Sequence, residues 1–168
     1  MKEKLYNHFL RIGPRRFVVS AVLSLVVLDI INGFYLKLSW VKNSLSDKMV
    51  MLVIDGMKLH PEDFDQSTMQ EIGGLVDKSF DFFLFLILTN NLFFYFFYLR
   101  KKLWAQGYVL FYTLTAAMFS GLMIFDGYGM GLGWMVFNLL TVPFYVYLYL
   151  GVKLLKNETT LVTGKKAR

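Results

Sequence analysis

A single acid interrupts the first long apolar stretch of the chain, Asp29 in the run VVLDII. An ionisable side chain near the middle of a bilayer costs about 2.5–3.5 kcal/mol on insertion scales, so such a residue is turned inward and has a partner or a task. Helix arithmetic gives it company. At about 1.5 Å per residue, Asp29 lies roughly 13 Å from the outer end of its stretch, and the next stretch, running back, brings Asn90 and Asn91 to the same depth. Thr115 and Thr141 fall within a turn of that level, and Asn32 and Asn138 one turn further out.

Two chemistries suit such a layer of Asp29, Asn32, Asn90, Asn91, Thr115, Asn138 and Thr141. As a packing site, amides, hydroxyls and a protonated Asp29 hydrogen-bond across helices, at roughly 0.6 kcal/mol per bond. As a solute site, Asp29 takes a cation, a proton or a polar ligand, with the amides as co-ligands. A proton relay normally uses several acids, and Asp29 is alone at its depth.

A second group of candidates lies between the first two stretches, where Glu62, Asp63, Asp65 and Glu71 make an acidic surface read as an interaction loop. It is not a calcium loop: counted from Asp63, the twelve-residue register puts Thr68 where glycine is required and Gly74 where the bidentate Glu belongs. No catalytic residue, metal site or cofactor is expected. Cys is absent, the two His (His8 and His60) lie outside the apolar runs, and neither G-x-S-x-G nor H-E-x-x-H occurs. The glycine-rich run Asp126–Gly133 follows no strand and is followed by no Lys, so it is a turn and not a phosphate cradle.

The elements that must carry these residues follow from composition. The chain is 56% apolar and only 18% charged, with a mean hydropathy of +0.48. A soluble domain averages roughly 45–50% apolar and 25% charged. A hydrocarbon core of about 30 Å takes some 20 apolar residues in a helix. Four stretches qualify, at about 17–38, 82–99, 103–125 and 132–152. The sequence therefore predicts an all-α integral membrane protein, an antiparallel four-transmembrane-helix bundle with a helical extracytoplasmic loop over 41–81. The first stretch, with no small-x-small cleavage pattern after it, is expected to be an uncleaved anchor.

Charge sets the expected orientation. Basic residues crowd the N-terminal flank (Lys2, Lys4, Arg11, Arg15, Arg16), the 100–102 turn and the tail, while Val41–Asp81 holds four Lys against eight Asp and Glu. The positive-inside rule then puts both termini in the cytoplasm, across a cell (cytoplasmic or inner) membrane. The net charge of +6 is distributed as flanks of apolar segments, so nucleic acid is rejected as a partner. The expected partners are the lipid bilayer and a protein partner or a second copy of the chain.

Local signals refine this outline. Residues 1–15 read as a cytoplasmic amphipathic segment, with Leu5, Phe9 and Ile12 on one face, suited to the headgroup layer and broken at Gly13-Pro14. Residues 16–156 form the membrane domain and 157–168 a polar cytoplasmic tail. Within the loop, Ser46 is expected to cap one helix. His60-Pro61-Glu62-Asp63 is expected to start another, with Gly73-Gly74 as a kink before the second span. Pro143 should bend the fourth span and free a carbonyl near Leu139. Ala117/Gly121 and Ser20/Ser24 are small-residue pairs that permit close helix contact. The first functional expectation is a non-enzymatic accessory or interaction subunit. The others are a small oligomeric channel or transporter built on the Asp29 layer and, more weakly, an interfacial lipid-active enzyme using the loop acids.

Overall fold

The computed structural model describes residues 2–58, 60, 64–125 and 131–155. Among them are six helices: α1 (Lys2–Ile12), α2 (Pro14–Lys42), α3 (Leu45–Gly56), α4 (Gln66–Leu99), α5 (Leu103–Phe125) and α6 (Leu132–Leu154). Helices α2, α4, α5 and α6 are each long and apolar enough to cross a membrane. The chain is thus an all-helical, multi-pass membrane protein. It forms two compact units, a terminal one of Met1–Val27 with Asn91–Arg168 and a central one of Leu28–Asn90.

In the terminal unit, Gly13 separates α1 from α2. Its φ of 89° is in the left-handed region that favours glycine. Its N–H closes α1 on the carbonyls of Phe9 (3.2 Å) and Leu10 (3.1 Å), and its carbonyl accepts the Phe17 N–H (2.9 Å) that opens α2. Pro14 follows at the first helical position, where a missing N–H costs nothing.

Helix α1 docks on protein. Phe9 is fully buried, with its ring 5.2 Å from Phe17 and 5.0 Å from Tyr147 of α6. The apolar face expected to meet lipid therefore spends its largest side chain on α6. Phe17 in turn fills the space left by Gly151, where a Cβ would stand 2.1 Å from the ring.

Helices α5 and α6 pack along their length. Besides Gly151, the buried positions of α6, namely Asn138, Thr141, Tyr145, Leu148 and Val152, and then Leu155, alternate three and four apart. That spacing keeps one seam facing a partner helix. On α5, Gln106, Val109, Thr113, Ala117 and Ser120 are buried at the same three- and four-residue spacing. The Gln106 amide, near the start of α5, donates to the Val152 carbonyl near the end of α6 at 3.1 Å. Gly121 has open space where its side chain would be, so the Ala117/Gly121 pair is not a close contact. Helix α6 continues through Pro143, and Leu139 and Pro143 are both exposed, off the buried Asn138/Thr141 seam.

In the central unit, the segment between the first two spans is mostly helix. Helix α3 starts at Leu45 after Ser44, whose φ is 46° and whose side chain makes no cap. Ser46 does not cap it either; its hydroxyl donates to the Gly73 carbonyl of α4 at 3.4 Å. Helix α4 starts at Gln66; the helix start expected at His60–Asp63 falls on Pro61, Glu62 and Asp63, which lie outside the described residues. Helix α4 then runs through Gly73-Gly74 as one element of 34 residues, about 51 Å. That exceeds the roughly 30 Å hydrocarbon core, and its polar first third is the excess.

Candidate functional site

Asp29 belongs to the central unit and is 6% exposed. Asn32, one turn along α2, is half-buried, and Asn90 is exposed. Further along the same helix the unit is braced by side chains outside the polar layer. Trp40 Nε1 donates to Asp77 Oδ1 at 2.6 Å, and its ring stacks on Phe80 with centroids 4.0 Å apart. Lys37 Nζ pairs with Asp81 Oδ1 at 2.6 Å. Lys37 and Trp40 are one turn apart, as are Asp77, Phe80 and Asp81, so a single contact line holds α2 to α4. Both ends of the ion pair are more than a third exposed, so its electrostatic share is small. The stacked ring and the indole hydrogen bond carry the contact.

In the terminal unit, Asn91 is 3% exposed and its Oδ1 accepts a hydrogen bond from the Tyr108 hydroxyl of α5. The Tyr108 ring stacks on Phe94, one turn from Asn91, at 3.7 Å. Asparagine, phenylalanine and tyrosine thus form one clamp joining the end of α4 to the start of α5. Asn138 donates to the Trp134 carbonyl at 3.0 Å, and Thr141 donates to the Asn138 carbonyl at 3.1 Å. Thr115 donates to the carbonyls of Phe111 (2.9 Å) and Tyr112 (3.0 Å). Of the layer's members in this unit, Asn138 and Thr141 come together on α6. Asn91 meets Tyr108, and Thr115 bonds within its own helix. Back-bonding of this kind satisfies a hydroxyl in an apolar setting without a second helix.

Sequence reasoning missed Gln106 and Gly151. A signal existed for Gln106: it is an amide in an apolar stretch, three residues before Val109 and seven before Thr113, on the seam that also carries those residues. For Gly151 no local signal exists, because what matters is the Phe17 ring brought against it from another helix.

The loop acids divide. Glu62 and Asp63 lie outside the described residues, and Glu71 is exposed on α4. Asp65 caps α4: Oδ1 accepts the Thr68 N–H at 3.0 Å and Oδ2 accepts the Ser67 hydroxyl at 2.7 Å. Hydrogen bonds from Thr68 first, and from Ser67 next, favour the charged form and lower its pKa to about 2. Among the described residues no group of three or more His, Asp or Glu is placed to hold a metal ion.

Comparison with protein-family models, with curated proteins and with solved structures finds no match to this chain.

Proposed function

We propose that this membrane protein is a non-enzymatic subunit of a larger membrane assembly, built as an antiparallel four-helix domain with both termini in the cytoplasm. Its working surface is α3, which binds an apolar helix of a protein partner at the outer face. The observation that carries this reading is the outward side of α3. Val50 and Ile54, one turn apart, are buried, while Leu52 between them is 64% exposed and Met49, Met51, Val53 and Met57 are exposed with it. At 12 residues, about 18 Å, the helix is too short to cross a bilayer. Contiguous exposed apolar surface marks a contact site, and methionine's flexible thioether suits surfaces that adapt to a partner. The orientation is supported by the basic flanks and the acidic excess of 41–81.

A photo-crosslinking residue at Leu52 in the intact membrane tests it. One discrete protein adduct is expected there, and none from Leu23, an exposed apolar position on the first span. Only lipid adducts at Leu52, or the same adducts from both positions, would overturn the reading.

A second reading, a small oligomeric channel or transporter, is favoured by one observation: Asp29 is buried within an apolar span, where a carboxyl is costly without a task. Reconstituted in vesicles, the native chain would carry an ion flux that Asp29→Asn abolishes under that reading, and neither protein would carry one under the first.

A further inference from the structure

The start of α2 and the end of α4 meet, within the terminal unit, around a cleft of about 500 Å³ that contains Arg15, Arg100 and Lys101. The rest of its lining includes Val18, Val19 and Leu99, which are apolar. We infer that this cleft binds the phosphodiester headgroup of an anionic lipid, with the three cations on the phosphate and the valines and Leu99 beside the glycerol and upper acyl chain.

Three observations carry the inference. The first is the missing countercharge. Among the described residues, the lining of the cleft holds no carboxylate. Among the described residues of the terminal unit, Glu3 is the one carboxylate, and it does not line the cleft. Three cations thus line one cleft with no carboxylate among its described lining residues, and an anion from outside neutralises them.

The second is the placement of Arg15 and Arg16. Both stand in the first turn of α2, which has no acidic residue. A helix N-terminus carries partial positive charge, so arginines there are on the unfavourable side of the macrodipole. An anion held at this point reverses that penalty.

The third is the preparation of the opposite wall. Arg100 is held with its guanidinium 4.4 Å from the centre of the Phe96 ring. The chain then turns by a Schellman closure, with Lys102 N–H bonding to the Phe97 carbonyl (3.1 Å) and Lys101 N–H to that of Tyr98 (2.9 Å). The residue in the left-handed position of that closure, φ 58°, is Lys101 where glycine is the favoured choice. A cation stands where the backbone alone would select Gly.

The location selects the source of the phosphate. Arg15 and Arg100 sit where two apolar helices end in charge, at the depth of lipid headgroups, and basic clefts between spans at that depth recognise anionic headgroups. The inference rests on the helices crossing a bilayer and is independent of the proposed subunit role.

The test uses the full chain, purified in an uncharged detergent and stripped of lipid. It is titrated with short-chain phosphatidylglycerol, with phosphatidylcholine and with inorganic phosphate, and bound adducts are counted by native mass spectrometry. Phosphatidylglycerol is expected to bind at least tenfold more tightly than phosphatidylcholine, and Arg15→Gln and Arg100→Gln to weaken it about fivefold each, the effect of one cation near a membrane surface. Lys101→Gly relieves the backbone while removing the charge, so it should weaken binding with folding intact. Lys153→Gln, an exposed cation outside the cleft, should change nothing. Equal binding of the two lipids would overturn the inference, as would an equal loss on Lys153→Gln, which would mean diffuse attraction. Displacement of the lipid by millimolar inorganic phosphate would mean a site for the free anion, and would overturn the lipid assignment.

Discussion

Asp65 shows how a residue's chemistry can be used up by its own backbone. Its two oxygens are committed to Thr68 and Ser67, which makes it a helix cap before it can be anything else. Because its folded pKa is depressed from an ordinary 3.8 to about 2, the unfolded chain binds the extra proton between those values. The cap's contribution is complete above about pH 4 and is lost as pH falls towards 2. Titration followed by NMR should give an Asp65 carboxyl midpoint near 2, and the Thr68 amide should lose protection over the same range. Asp65→Asn, which keeps a capping oxygen, should retain the start of α4 and abolish the pH dependence. A midpoint near 4 would show that the cap does not form.

At the scale of elements, the terminal unit turns on one pairing, the Phe17 ring against the bare backbone of Gly151. Phe17 is buried and shares its surroundings with Phe9 and Tyr147, so it has little room to move from an added methyl. Gly151→Ala should therefore destabilise the fold by about 1–3 kcal/mol, the usual cost of overfilling a packed site. Phe17→Leu in the same chain should restore part of it. Thermal unfolding in detergent reads both, and an unchanged midpoint for the alanine variant would mean that α2 and α6 do not pack this way. The same contact explains α1. An 11-residue helix is marginal in water by itself, and Phe9 gives it a tertiary anchor on α6.

For the whole molecule, the exposed side chains identify the solvent. Phe82, Phe83, Phe85, Phe93 and Phe96 on α4, with Phe111, Phe119 and Leu140 on α5 and α6, stand uncovered by protein. In water such a surface would aggregate; in hydrocarbon it is the natural exterior. Orientation across that hydrocarbon is open to a clean experiment because the chain has no cysteine. Glu71→Cys should react with an impermeant maleimide in intact cells, and Lys102→Cys only after permeabilisation. The reverse pattern would invert the topology.

That four helices are long and apolar enough to cross a membrane, and that the chain breaks at Gly13-Pro14, was legible from order along the chain alone. Hydropathy over some 20 residues and a Gly-Pro step are local properties that no distant contact overrides. That helices form within 41–81 was legible too, among the described residues. Their limits were not, since α3 begins without a side-chain cap and α4 takes its cap from Asp65. Depth arithmetic along each span named Asn91, Asn138 and Thr141, all of which are buried, but depth does not reveal azimuth. Only tertiary structure decided that Asn91 is buried and Asn90 exposed, that Tyr108 is the partner of Asn91, and that Gln106 bonds to the end of α6. The rotation of each helix about its axis is set by which side chains interlock across the seam, and interlocking is a property of pairs of helices that no single stretch of residues contains.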